Sequence, residues 1–131
     1  MGRELGQLLK PGETFYEWGF ETGLYFYSQR RPPTGVICSS PLIAGPLVAP
    51  LTARVLEDLE RNQPELFLTT GQGDLTAQPL HPVLEWFKNR YRVFETRPPF
   101  FLYVRQGSRL ESCTKLDAGE GPSAKRRYLI P

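Results

Sequence analysis

Five residues between positions 18 and 31 are of the types that bind a phosphorylated sugar. Trp18 and Tyr25 offer flat apolar ring faces on which a sugar ring can stack. Arg30 and Arg31 place two guanidinium groups side by side, and each can hold a phosphate through paired hydrogen bonds. Together with the carboxylate of Glu21, they predict a substrate-binding face at the end of the first strand. The alternative is that both rings are buried and the arginines are solvated.

The other candidates for catalysis favour structural roles. His81, the only histidine, precedes Pro82 and suits the start of a helix, and no serine lies in the Gly-x-Ser-x-Gly turn of a hydrolase. The loop Gly71-Gln-Gly-Asp74 lacks the third glycine of a dinucleotide-binding loop. Glu57 and Glu60 fall on the charged side of a helix, where side-chain pairing accounts for them. We therefore predict no catalytic residue in this chain.

The two cysteines do not form a metal-binding pattern. Cys38 and Cys113 have no Cys-x-x-Cys or Cys/His spacing, so we expect neither a metal nor another cofactor. A single disulfide closing a long loop in an oxidising compartment and two unpaired thiols both remain open.

Composition predicts one folded domain without a membrane-spanning helix and argues against a nucleic-acid partner. Of 131 residues, 40% are apolar and 12% aromatic, enough for a core. No apolar run approaches the roughly 20 residues of a membrane-spanning helix. The net charge is only +2, and the clustered basic residues, 125–127, lie near the end of the chain. Because nucleic-acid binders carry a basic stripe or patch, we expect no nucleic acid partner.

Helical and extended patterns alternate along the sequence. Apolar residues three and four positions apart indicate helices, and short apolar or aromatic runs bounded by glycine and proline indicate strands. The expected helices lie around residues 5–9, 21–29, 51–61 and 82–91, and the expected strands at 14–18, 34–38, 65–70, 92–96 and 100–105.

This order predicts a three-layer α/β domain over residues 1–108. We expect a mostly parallel sheet of four to five strands, with helices on both faces and a C-terminal β-hairpin closing one edge. Ligands of such sheets bind beyond the carboxyl ends of the strands, which here means residues 19–23, 38–41 and 70–74. Residues 109–131 hold few large apolar groups and are interpreted as a weakly ordered tail.

Several short motifs follow one another along the chain. They are Trp18-Gly19, Leu24-Tyr-Phe-Tyr27, Arg30-Arg-Pro-Pro-Thr34, Leu56-Glu-Asp-Leu-Glu-Arg-Asn-Gln-Pro-Glu-Leu66, His81-Pro-Val-Leu84 and Tyr91-Arg-Val-Phe94. In this order and spacing they resemble the C-terminal extracytoplasmic domain of bacterial membrane glycosyltransferases similar to protein mannosyltransferases and aminoarabinose transferases. The resemblance covers residues 3 to about 106.

The resemblance implies a non-catalytic periplasmic domain of a membrane-bound enzyme that transfers a sugar from a polyprenyl-phosphate donor. The catalytic acid of that family lies in the membrane portion, so none is carried over to this chain. The implied partners are the membrane portion of the same polypeptide and a sugar or lipid-phosphate ligand. Two other classes stay open: a free-standing sugar- or nucleotide-binding enzyme, and an interaction module that uses the apolar segment 41–51.

Overall fold

The computed structural model describes residues 1–70 and 79–117, with side chains as far as Cys113. The elements are α1 (Gly2–Leu8), β1 (Phe15–Trp18), α2 (Gly23–Ser28), α3 (Ser40–Ile43), α4 (Val48–Asn62), β2 (Leu66–Thr69), α5 (Pro82–Lys88), β3 (Tyr91–Arg97), β4 (Phe100–Arg105) and α6 (Arg109–Asp117). No helix in this part of the chain is long and apolar enough to cross a bilayer.

The sheet has four strands in the order β1-β2-β4-β3. The β1–β2 pair is parallel, with Trp18 opposite Thr69, whereas β2–β4 and β3–β4 are antiparallel. The α/β class and the closing hairpin are therefore confirmed, but the prediction of a mostly parallel sheet is wrong. The hairpin supplies two of the four strands, so one parallel pairing remains.

Residues 34–38, predicted as a strand, form a loop instead. The Thr34 hydroxyl donates to the Asp58 carboxylate at 3.0 Å and accepts from the Val36 N–H at 3.3 Å. Such local side-chain bonds favour turns over the regular hydrogen bonds of a sheet. The segment is held against α4 by its polar groups, which explains why a short apolar run does not join the sheet.

Helices cover both faces of the sheet, as predicted. β1 and β2 are buried throughout, which suits strands covered by helices on both faces, although β1 is an edge strand of the sheet. Leu5 of α1, Leu24 of α2 and Leu110 of α6 pack on one face. Val55 and Leu59 of α4 pack on the other, together with apolar residues of α5. The sequence pattern of α4 therefore matches its buried side.

The helices in the C-terminal part of the chain differ from the predictions. The helix beginning at Pro82 ends at Lys88, so Tyr91, expected on that helix, begins β3. Arg109–Asp117 forms α6 where a weakly ordered tail was predicted. Arg109 donates to the Leu8 carbonyl at 3.0 Å and to Glu13 at 2.6 Å, and this anchors α6 to the start of the chain. The rest of the predicted tail, residues 118–131, lies outside the described residues.

Candidate site at the carboxyl edge of the parallel strands

The segments expected beyond the strand ends meet around Gly19. The Gly19 carbonyl accepts from the backbone N–H of Ser39 at 3.0 Å and from its hydroxyl at 3.4 Å. The Thr70 hydroxyl oxygen lies 3.1 Å from the place a Cβ on Gly19 would occupy. Because β1 and β2 are parallel, their carboxyl ends share this edge, which we call the carboxyl edge. Residues 71–74, also expected here, lie outside the described residues.

Glu17 is the chemically unusual residue of the carboxyl edge. Its side chain is fully buried, and neither carboxylate oxygen has a hydrogen-bond partner within the described residues. Its backbone N–H donates to the Tyr25 hydroxyl oxygen at 3.0 Å. Buried carboxylates are normally paired, because burying an unpaired charge is costly. An unpaired one at a strand end is therefore a candidate functional group.

Burial raises the pKa of Glu17 to about 7. The backbone N–H of Glu21 lowers the pKa of Glu17, although it forms no regular hydrogen bond with the carboxylate. The negative charge of the Glu21 side chain raises that pKa further. A carboxyl with this pKa exchanges its proton near neutral pH. Glu17 can therefore donate a hydrogen bond when it is protonated and accept hydrogen bonds when it is ionised.

The five predicted site residues do not come together in one face. Trp18 and Tyr25 are both buried, and they lie on opposite sides of the sheet. The Trp18 ring contacts His81 at a centroid distance of 4.9 Å, while Tyr25 stacks on Phe15 at 4.5 Å. Because side chains alternate along a strand, Phe15 and Trp18 point to opposite faces of the sheet. The Tyr25 ring on α2 packs on the face that carries Phe15 and not on the face that carries Trp18. Both aromatic rings are core residues.

The charged members of the predicted face do not share one role. The Arg30 guanidinium donates to the carbonyl of Gly6 at 2.9 Å and to that of Leu9, so it ties the end of α2 to α1. Arg31 and Glu21 are exposed. The guanidinium of Arg30 is thus used within the fold, and the adjacent pair does not form a two-armed phosphate clamp.

His81 has the structural role that the sequence predicts. Its Nδ1 accepts from the Val83 N–H at 3.2 Å and caps α5. Its Nε2 lies 2.8 Å from the Leu42 carbonyl, so Nε2 carries the proton and donates it there. The ring joins the start of α5 to α3. No disulfide joins Cys38 to Cys113, and within the described residues no group of three His, Cys, Asp or Glu side chains could hold a metal.

Apolar side chains are exposed on the segments of the carboxyl edge. Phe20, directly after Gly19, is 69% exposed. Ile43 and Leu47, which follow the Ser39 segment, are 57% and 56% exposed. Phe20 is distant in the chain from Ile43 and Leu47, and the bonds of Ser39 to the Gly19 carbonyl tie the two segments to one edge. Exposed apolar groups on such neighbouring segments are a candidate interaction surface.

Sequence reasoning missed Glu17, the residue that distinguishes this edge. Its one signal was a charged residue inside an otherwise apolar four-residue strand, directly before Trp18 and Gly19. Comparison with models of known protein families, with curated proteins and with solved structures gave no match. The case for a function therefore rests on the carboxyl edge and on the sequence motifs.

Proposed function

We propose that this chain is a non-catalytic extracytoplasmic domain of a membrane-bound glycosyltransferase that uses a polyprenyl-phosphate sugar donor. The domain lies at the periplasmic face of the inner membrane, packs on the membrane portion of the same polypeptide and helps position the donor or the acceptor. The sequence motifs over residues 3–106 support the family. The carboxyl edge supports the mode of action.

Contacts between distant motifs support a structural role for the residues that carry the resemblance. The Asn62 amide donates to the Pro33 carbonyl at 2.6 Å, and Thr34 donates to Asp58, so two motifs are joined. The ring contact of Trp18 with His81 joins two others. These residues hold the layers together. Motif residues that serve the fold are compatible with a non-catalytic domain.

The observation that carries the proposal is the set of exposed apolar side chains on the segments that meet at the carboxyl edge. Phe20, Ile43 and Leu47 offer apolar contact area, as an interface with another protein surface does. Docking of this edge on the membrane portion would place these side chains beside the donor or acceptor.

The experiment is a transfer assay on the complete reading frame that encodes these residues. Membranes containing the complete protein should transfer sugar from a polyprenyl-phosphate donor, and the purified chain alone should not. A reading frame without membrane spans, or turnover of the donor by the purified chain, would contradict the proposal.

Glu17 also favours a second candidate, a free-standing enzyme acting on a sugar or nucleotide. A carboxyl with a pKa of about 7 is suited to general acid–base catalysis at neutral pH. In that case the purified chain would turn over a nucleotide sugar, and Glu17→Gln would abolish the reaction while preserving the fold. The two candidates therefore differ in a single assay on the isolated chain.

A further inference from the structure

β3 (Tyr91–Arg97) is the longest strand and lies at one edge of the sheet. Within the described residues it pairs with β4 alone. The backbone N–H and C=O groups of alternate residues in an edge strand point away from its neighbour, and such groups can pair with a further strand. We call this side of the sheet the β3 edge. β1, the strand at the opposite edge, is buried throughout, so the β3 edge is the more accessible of the two.

Val93 lies near the middle of the β3 edge, and its side chain is 58% exposed. Arg92 and Glu95 lie on the other face of the sheet, because their partners in β4 pack on the face covered by α1, α2 and α6. The register shifts between Val93 and Glu95, so Phe94 is a bulge residue that takes up one position. Counted along the edge, Arg92 and Glu95 are therefore the neighbours of Val93 on either side.

Arg92 and Glu95 carry opposite charges, and each has a polar atom without a hydrogen bond. The Arg92 Nε lies 3.4 Å from a Glu111 carboxylate oxygen, an ion pair without a hydrogen bond. Arg97 donates to the Glu95 Oε1 at 3.0 Å, whereas the Glu95 Oε2 has no partner within the described residues. Shielded polar atoms are normally hydrogen-bonded, so a donor and an acceptor are both left over on one face of β3.

We propose that two copies of this chain pair through their β3 edges and form a dimer with one continuous eight-stranded sheet. The two β3 strands run antiparallel about a two-fold axis at Val93. Val93 then contacts Val93 of the partner subunit, and Arg92 lies opposite Glu95 of the partner subunit. Two-fold symmetry repeats this pair, so two reciprocal ion pairs flank the apolar contact. The inference is independent of the proposed function, because it rests on the β3 edge alone.

The charges of β3 favour this register over its neighbours. Moving the axis by one position in one direction would place Arg92 opposite Arg92 of the partner subunit. Moving it in the other direction would place Glu95 opposite Glu95 of the partner subunit. Like charges directly opposite each other destabilise a strand pair. The pairing uses the β3 edge of both copies, and β1 at the far edge is buried, so the assembly closes at two chains.

The test is sedimentation equilibrium of the complete chain between about 10 µM and 1 mM, since a single strand pairing gives a small interface and a weak dimer. A monomer–dimer equilibrium within this range is expected. Val93→Lys should weaken the association about tenfold, because two ammonium groups would meet at the axis. Ile43→Ser, at an exposed apolar position on the carboxyl edge, is the control and should associate like the parent chain. A monomer at every concentration, or parental association of Val93→Lys, would overturn the proposal.

Reversal of the two charges tests the register. Arg92→Glu leaves two acidic groups beside Val93, and Glu95→Arg leaves two basic groups, so each variant alone should associate about tenfold more weakly than the parent. An equimolar mixture of the two variants should form a heterodimer with parental affinity, because each reversed charge then meets its opposite in the other chain. Contacts within one chain, such as that of Arg92 with Glu111, are unchanged by mixing and cannot produce this rescue. A mixture that associates no better than the separate variants would contradict the register.

Discussion

The carboxylate of Glu17 lies over the backbone of Gly19, such that a Cβ at position 19 would be 2.2 Å from its Oε1. No side chain fits there unless the carboxylate moves. The buried position of Glu17 and the identity of residue 19 are therefore linked, and Trp18-Gly19, one of the sequence motifs, gains a physical reason. The link makes the pair testable by stability measurements.

Gly19→Ala should lower the free energy of unfolding by about 1–3 kcal/mol, because the added methyl group displaces a fully buried carboxylate. Urea denaturation of the parent and the variant measures the difference. Gly35→Ala is the matched control, since a Cβ there meets no atom within 4 Å, and its change should stay within about 0.5 kcal/mol. Similar stabilities for both variants and the parent would contradict the link.

The parent protein should lose stability as the pH rises, and Glu17→Gln should abolish this loss. The folded-state pKa of Glu17 is about 7, above the ordinary value of 4.5, so the folded protein binds this proton more tightly than the unfolded chain. The contribution of the Glu17 proton to the free energy of unfolding is full below pH 4.5 and is lost as the pH rises through about 7. The loss amounts to roughly 3 kcal/mol at most.

Urea denaturation at pH 5 and at pH 8 tests this pH dependence. Between these pH values the parent should lose more stability than Glu17→Gln does. Glu57→Gln, a change at an exposed carboxyl, should behave like the parent. If Glu17→Gln keeps the pH dependence of the parent, another group is responsible for the loss of stability.

Arg30→Gln should destabilise the domain, whereas Arg31→Gln should not. Arg30 donates charge-assisted hydrogen bonds to the carbonyls of Gly6 and Leu9, and their loss costs about 1.5–3 kcal/mol. Arg31 is exposed, so its replacement should change the unfolding free energy by less than about 0.5 kcal/mol. Thermal or urea unfolding of the two neighbouring variants gives the comparison. Equal effects of the two variants would contradict the structural role assigned to Arg30.

Much of the fold could be predicted because its signals are local. The spacing of Leu5, Leu8 and Leu9 predicts α1, and the apolar stripe of α4 is equally plain. The hairpin follows from two apolar runs separated by Pro98-Pro99. The sheet order was harder, since the pairing of β4 with β2 depends on packing across the whole domain.

The candidate site depended on contacts that sequence spacing does not reveal. The Glu17–Gly19 contact requires the backbone path at the end of β1, and the sequence offers only a charge in an apolar strand. The carbonyl partners of Arg30 lie more than 20 residues away in the sequence, so local spacing does not reveal them. Arg30 was therefore predicted as a phosphate ligand. α6 was missed for the same reason, as Arg109 pairs with Glu13, 96 residues earlier.

The most direct measurement of the proposed function is sugar transfer by the complete membrane protein after the exposed apolar groups of the carboxyl edge are replaced. In membranes, the double variant Phe20→Ser, Ile43→Ser should lose at least tenfold in transfer from a polyprenyl-phosphate sugar, at an unchanged protein level. Both side chains are exposed in the isolated domain, so the fold should survive. The control Phe26→Ser, Tyr27→Ser replaces two exposed aromatic residues of α2 and should keep parental transfer. Parental transfer by the edge variant, or equal losses in both double variants, would contradict docking through the carboxyl edge.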